Sequence, residues 1–267
     1  MPDLIMKSKS KNAAVNGHDN NTAIELLNVS LRIPVRGSSP KSLKKALLSS
    51  LTGGKLVKRK QGSEIYALQN INCSIRKGER VALIGHNGAG KSSFLRLISG
   101  IYKATEGSIY KQCKVHPMIQ KTFITGPDLS GEQAAKGHFL ITNGSLEGFD
   151  KYLDEIIEFS ELGEFIHMPI KNYSEGMSAR LLFTLLTSGS HECLALDEGF
   201  GTGDARFFSK AQKRLEKFIA EAGTLILASH SDELLKQFCS RGIIFKQGRI
   251  IYDGQINDAL SFYHENY

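Results

Sequence analysis

At 267 residues, 41% of them hydrophobic, the chain is long enough to bury one or two cores and has an ordinary globular composition. No apolar run approaches the ~18 residues of a membrane span, and Leu4-Ile5-Met6 falls far short of a signal-peptide core of about 7–15 residues, so a membrane-spanning or exported protein is excluded as an expectation and a cytoplasmic one is predicted. The net charge of +7 is local: eight basic and no acidic residues lie between Arg36 and Gly62, the remainder carries −1, and a domain basic throughout is excluded.

Taken in order, residues 1–22 are polar and rich in Lys, Asn and Ser, which predicts a disordered tail. Ile24 to Val35 reads as a β-strand, with Pro34 marking an edge. The basic insert, 36–63, follows. Within it Ser42 to Leu51 spaces Leu43, Leu47 and Leu51 as one face of a short amphipathic helix that stops at Gly53-Gly54. Two readings stay open for it: a solvated surface insert, or a basic element beside an anionic membrane leaflet or a membrane partner. Tyr66 to Ile75 is a further strand, and Arg76-Lys77-Gly78-Glu79 a turn.

Arg80-Val81-Ala82-Leu83-Ile84 has buried-strand character, and Ser92 to Ile98 reads as a helix with Phe94, Leu95 and Ile98 on one face. Between them Gly85-His86-Asn87-Gly88-Ala89-Gly90-Lys91-Ser92 matches the phosphate-binding loop G-x-x-x-x-G-K-[S/T] in the strand–loop–helix context it requires. Its glycines let successive amides turn inward as an anion nest at a helix N-terminus, Lys91 reaches the β- and γ-phosphates, Ser92 can ligate Mg²⁺, and Ser93 can donate to the α-phosphate. The chain is therefore expected to bind ATP with Mg²⁺.

Downstream, Glu106 to Tyr110 reads as turn and strand, and the next run reaches Pro117-Met118-Ile119-Gln120. From about 127 to 190 the texture is helical. Cys193 to Glu198 is an apolar run ending in two acids, Asp197-Glu198, and Thr224 to His230 is a second buried strand, ending in a histidine. Gly242 to Tyr252 is a hairpin around Gln247-Gly248, and Asn257 to Tyr263 a final helix. Apolar strands alternating with helices predict an α/β fold with a mostly parallel sheet. Ligands bind at the carboxyl ends of such strands. There Asp197 suits the Mg²⁺ shell, Glu198 the polarisation of an attacking water, and His230 the γ-phosphate. The four cysteines, Cys73, Cys113, Cys193 and Cys239, lack metal-site spacing and are expected to be reduced core residues.

Between the loop and the acidic strand end lies Tyr173-Ser174-Glu175-Gly176-Met177-Ser178-Ala179-Arg180, opening a helix. In that order of motifs the chain resembles the ATP-binding cassette (ABC) ATPases, whose signature is a Ser-x-Gly segment in this place. More narrowly, the run from Phe165 to Met177, together with Pro127-Asp128-Leu129-Ser130-Gly131-Glu132, Gly203-Asp204-Ala205-Arg206-Phe207 and the Ser-Leu-Lys-Lys insert, is similar to the nucleotide-binding subunits of bacterial polysaccharide exporters.

The resemblance covers about Ile24 to Tyr263. It implies a P-loop NTPase domain over 23–267 with a parallel core, an antiparallel β subdomain and a helical subdomain. It also implies a head-to-tail homodimer in which Ser174, Glu175, Gly176 and Met177 of one chain face ATP on the other. Asp204 would be the D-loop residue, His230 the switch histidine, and Gln120 the Q-loop residue that senses Mg²⁺ and the attacking water.

The implied function is the ATP-hydrolysing motor of an exporter for O-antigen, capsule or a teichoic-acid-like glycan, on the cytoplasmic face of the membrane with a permease on another chain. Two residues depart from the pattern. Glu175 replaces a serine and adds a negative charge that would ask for a cation such as Arg180. Ile33 stands where an aromatic commonly stacks on adenine, a role lost or passed to Tyr66. Only 37 residues follow His230, so an extra carbohydrate-binding β-sandwich is not expected. The alternatives are a soluble ABC ATPase acting on nucleic acid or ribosomes, which would use the basic insert but for which nucleic acid ranks below the permease as partner, and a non-enzymatic ATP-gated interaction module.

Overall fold

The computed structural model describes residues 19–35, 55–59, 62–118, 126–189, 191–197 and 205–267. The predicted helix over Ser42–Leu51 and the residues Gln120, Glu198 and Asp204 lie outside them. Two sheets form the frame. In the four-stranded antiparallel sheet the order is β2 (Lys55–Arg59), β3 (Gly62–Arg76), β1 (Thr22–Val35), β5 (Glu106–Lys111). The β2 strand was not anticipated, because Lys55–Arg59 read as part of the charge run, and β3 begins four residues before the expected Tyr66. Pro34 is paired on one side only: β1 runs with β3 as far as Val35 but with β5 no further than Ser30. Pro34 therefore stands on an edge stretch of β1, where a proline is tolerated.

The second sheet has the order β10 (Arg249–Gln255), β9 (Arg241–Lys246), β4 (Arg80–Ile84), β8 (Thr224–Ala228), β7 (Cys193–Leu196), β6 (Val115–Met118). All neighbours are parallel except the β9–β10 hairpin. Its strands β4, β7 and β8 are buried at nearly every position, which is why they read as unbroken apolar runs rather than alternating ones. Strand β4 sits between β9 and β8, so the loop that leaves its carboxyl end emerges at the middle of the sheet.

One face packs on α1 (Lys91–Ile98) and the antiparallel sheet, with Phe94 and Phe245 rings 5.2 Å apart. The other packs on α5 (Ala205–Glu221), α6 (Asp232–Phe238) and α7 (Ile256–Asn266). The helical unit has its own core and is built of α2 (Gly131–Asn143), α3 (Phe149–Ser160), two 3-10 turns and α4 (Glu175–Leu186). Ser130 and Gln133 close a capping box on α2, and Gly144 ends it in the left-handed region. The four cysteines are free, three of them buried.

The helical unit meets the main sheet through three histidines. The His116 and His191 rings stack at 3.7 Å, and His138 lies edge-on to His116 at 6.4 Å. A hydrogen-bond chain fixes the His138 tautomer. Ser188 donates to the Leu185 carbonyl at 2.6 Å, so it accepts from the Tyr152 hydroxyl at 2.9 Å, which in turn accepts from His138 Nδ1–H at 2.7 Å. Nε2 is then a buried, bare lone pair, and the Nε2 atoms of His116 and His191 are buried without a partner too.

Burial first, and then the neighbouring histidines, hold His116 down at about 3; the same causes hold His138 at about 4, and burial also lowers His191. Since the unfolded chain binds protons near 6.5 and the folded one does not, this contribution is complete above pH 6.5 and is lost as pH falls toward 4. For His138 alone the loss is on the order of 3 kcal/mol. Urea unfolding at pH 7.5 and 5.0 should show a steep fall in midpoint, and His138→Phe should make it shallower; an unchanged fall would rule His138 out as a source.

Candidate nucleotide-binding site

The loop between β4 and α1 curls because three of its glycines occupy conformations closed to other residues. Gly85, Gly88 and Gly90 have φ of 145°, 80° and 121°. A Cβ on Gly85 would lie 2.5 Å from the Phe245 carbonyl oxygen, and one on Gly90 3.2 Å from that of Ala67. The turn is closed internally by Ala89 N–H on His86 O at 3.1 Å and by Phe94 N–H on Gly90 O at 2.9 Å. Lys91, 8% exposed, bends back over the loop and donates to the carbonyls of Gly85 and His86, the latter at 3.4 Å. Ser92 and Ser93 follow, half-buried, in the first turn of α1.

The loop is braced from outside by a turn that no motif marks. At the tip of the β9–β10 hairpin, Gln247 and Gly248 both have positive φ, 49° and 76°, the conformation of a two-residue type I′ turn. Gly248 N–H donates to Ala89 O at 2.8 Å and Gly248 O accepts from Gln69 N–H at 2.8 Å. Gln69 Nε2 adds a bond to Gln247 O at 3.2 Å. A Cβ on Gly248 would lie 2.7 Å from Ala67 O. Gly248→Ala is therefore expected to reduce stability by about 1–3 kcal/mol and to weaken ATP binding at the same time. Calorimetry with thermal melts checks both; a drop in stability with unaltered affinity would mean the brace does not shape the loop.

His230, past the end of β8, is exposed and stands 2.9 Å from Asn87 of the loop. With Asn87 presenting its carbonyl oxygen, His230 Nε2 carries the hydrogen, so the group aimed at the loop is a donor. His86 Nδ1 donates to Asn87 O at 2.8 Å. Asp197 leaves the end of β7, its N–H on Met118 O at 3.3 Å. Loop, Asp197 and His230 thus leave adjacent parallel strands at the same end of the sheet.

Ser174 caps α4, accepting from Met177 N–H at 3.1 Å, and both Ser174 and Glu175 are exposed. Gly176 faces open space, with only Ser174 Oγ, 3.9 Å away, near the position of a Cβ. Arg180 is not available to Glu175: its guanidinium is 3.6 Å from Glu161 and lies over the Phe207 ring. Ile33, within β1, packs against the core, whereas Tyr66, opposite Arg32 in the ladder, has that guanidinium 5.4 Å from its ring centroid. One ring face of Tyr66 is therefore already taken by a cation.

Residues 68–201 match the family model described as ABC transporter. The chain is 37% identical over 233 residues to the O-antigen export system ATP-binding protein RfbE of Yersinia enterocolitica, covering 87% of this chain and 97% of that one. It is 34% identical to the teichoic acids export ATP-binding protein TagH of Lactococcus lactis, over 77% of this chain and 44% of that longer one. Among solved structures, a dimeric ATP-binding cassette described as a post-hydrolysis state bound to ADP and phosphate superposes with a TM-score of 0.60 at 21% identity, over 87% of this chain and 98% of that chain. Strand order, phosphate loop and these similarities lead to one conclusion: the chain belongs to the ABC transporter family and is an ATPase of that family.

Proposed function

We propose that this chain is the motor subunit of an exporter that moves a polysaccharide or lipid-linked glycan across the cytoplasmic membrane, acting as a head-to-tail homodimer on a permease carried by another chain. The observation that carries the reading is the similarity to an O-antigen export ATP-binding protein along 97% of that relative's length. No helix among the described residues is long and apolar enough to cross a membrane. Attachment to the cytoplasmic face would therefore run through the permease.

In this reading the triphosphate lies along the amides of Gly85–Ser93. Lys91 exchanges the carbonyls of Gly85 and His86 for the β- and γ-phosphates, and His230 turns its Nε2–H from Asn87 to the γ-phosphate. Glu198 takes the proton of the attacking water. Ser92, Asp197 and Gln120 offer only oxygen donors, the set that suits Mg²⁺ shared with a nucleotide. When bound, Mg²⁺ neutralises phosphate charge. Ser174 and the Gly176 amide, exposed at the start of α4, would reach the γ-phosphate held by the partner, with Asp204 between the two sites. Glu175 carries its charge to the same place without an ion pair to Arg180.

The test is recovery of the tagged chain from detergent-solubilised native membranes, with ATPase measured on the complex. Co-purification of a multi-span permease is the expected result. Recovery of ribosomes or nucleic acid without one would overturn the exporter reading and turn the basic insert into the binding surface.

A further inference from the structure

The helix that follows Asp204 in sequence, α5, meets the helical unit around the Phe159 ring, with Phe207 of α5 also edge-on to Phe183 of α4 at 6.0 Å. Arg214 lies with its guanidinium 4.2 Å from the Phe159 ring centroid, its Nε donating to Thr187 Oγ1 at 2.9 Å and a terminal nitrogen to Glu155 at 2.7 Å. Lys210, one turn earlier on α5, has its ammonium 4.7 Å from the same centroid. It donates to the Phe159 carbonyl at 3.1 Å and to Glu161 at 2.9 Å. It therefore sits on the terminal carbonyls of α3, where the helix dipole favours a cation. The Phe159 ring also meets Phe207 of α5, edge-on at 5.5 Å, and Phe183 of α4 at 6.3 Å. Arg180 closes the arrangement from α4 through Glu161.

What matters is place in the chain: α4 starts immediately after Ser174 and α5 immediately after Asp204. These are the two motifs that, in the homodimer reading on which this inference rests, reach from one chain to the nucleotide of the other.

We propose that Arg214 and Lys210 are positioning residues which, by gripping Phe159, lock the D-loop helix to the signature helix, so that both contacts to the partner's nucleotide move as one body. Arg214 is only 16% exposed, so its place over the ring is shielded from solvent, although Glu155, the other end of its ion pair, is exposed. A loosened lock would leave nucleotide binding within one chain intact and would separate the arrival of the two trans contacts. Cooperativity between the sites would then be lost.

The experiment uses full-length chain carrying Arg214→Ala, Arg214→Lys or Lys210→Gln. MgADP affinity by calorimetry reads the loop within one chain. ATP-driven dimerisation by light scattering, in the Glu198→Gln background, and the Hill coefficient of hydrolysis, in the Glu198 background, read the trans contacts. Arg214→Ala is expected to bind MgADP within about twofold of the parent, to dimerise about tenfold more weakly and to hydrolyse ATP with a Hill coefficient near one. Arg214→Lys, which keeps the cation over the ring but not the fork to Thr187 and Glu155, should recover part of this. Lys210→Gln gives a milder version should Arg214→Ala not fold. A lowered melting temperature with dimerisation and Hill coefficient unchanged would overturn the proposal, since a merely structural contact does that much. If the Glu198→Gln parent itself fails to associate with ATP, the homodimer reading falls, and the proposal with it.

Discussion

Lys91→Ala is expected to lower ATP affinity and turnover by at least about a hundredfold, with little loss of stability. In the structure the Lys91 ammonium is buried and satisfied by carbonyls of its own loop, so it is already desolvated and aimed inward before any phosphate arrives. Its charge is worth more there than on a surface, because the surrounding dielectric is low. Arginine would not rescue it: a planar fork does not fit where a single ammonium reaches over the loop. Equilibrium titration with ATP and steady-state turnover check the effect. A variant that kept wild-type affinity would mean that the amide nest alone holds the phosphates.

Glu198→Gln should leave ATP binding intact and reduce hydrolysis by about 10²–10⁴-fold, the range for removal of a general base. The amide keeps the shape of the carboxylate but cannot take a proton from water. Binding retained with hydrolysis lost would place Glu198 in the chemical step and argue against a non-enzymatic ATP-gated module. Loss of both would instead place the residue in the nucleotide or metal site. Unchanged turnover would pass the role to another group, with Asp197 and His230 the nearest candidates at the strand ends.

The central part of this site was legible in the sequence because its chemistry is local. Gly85 to Ser92 needs only consecutive residues to form a nest, and β4 and α1 announce themselves by periodicity. The buried strands β7 and β8 were equally plain, since parallel strands covered on both faces read as apolar runs. What remained hidden depends on residues far apart in the chain. Nothing in Gln247-Gly248 beyond a turn signal says that the tip docks on Ala89, because that contact is made by backbone atoms alone. Strand β2 was concealed by composition, its lysines and arginine reading as insert. The α5 helix was marked only by the Asp204 segment ahead of it, and its pairing of Lys210 and Arg214 with Phe159 joins residues about fifty apart. The three histidines could not be grouped from sequence either, since His116, His138 and His191 come together only when β6, α2 and the approach to β7 are assembled.

The docking of the last hairpin on the phosphate loop makes nucleotide affinity a property of the C-terminal end of the chain. Two main-chain hydrogen bonds at Gly248 hold Ala89 and Gln69, and the strands that carry this tip lie at the edge of the main sheet, covered by α7. Only molecules with the hairpin seated have a finished cradle, so the observed dissociation constant is the intrinsic one divided by the seated fraction. Mild denaturant, or substitutions in α7 that let the sheet edge fray, would therefore raise the apparent constant for ATP well before the global transition. Bound ATP would reciprocally protect the amides of β9 and β10 from hydrogen exchange, far along the chain from every residue that touches it.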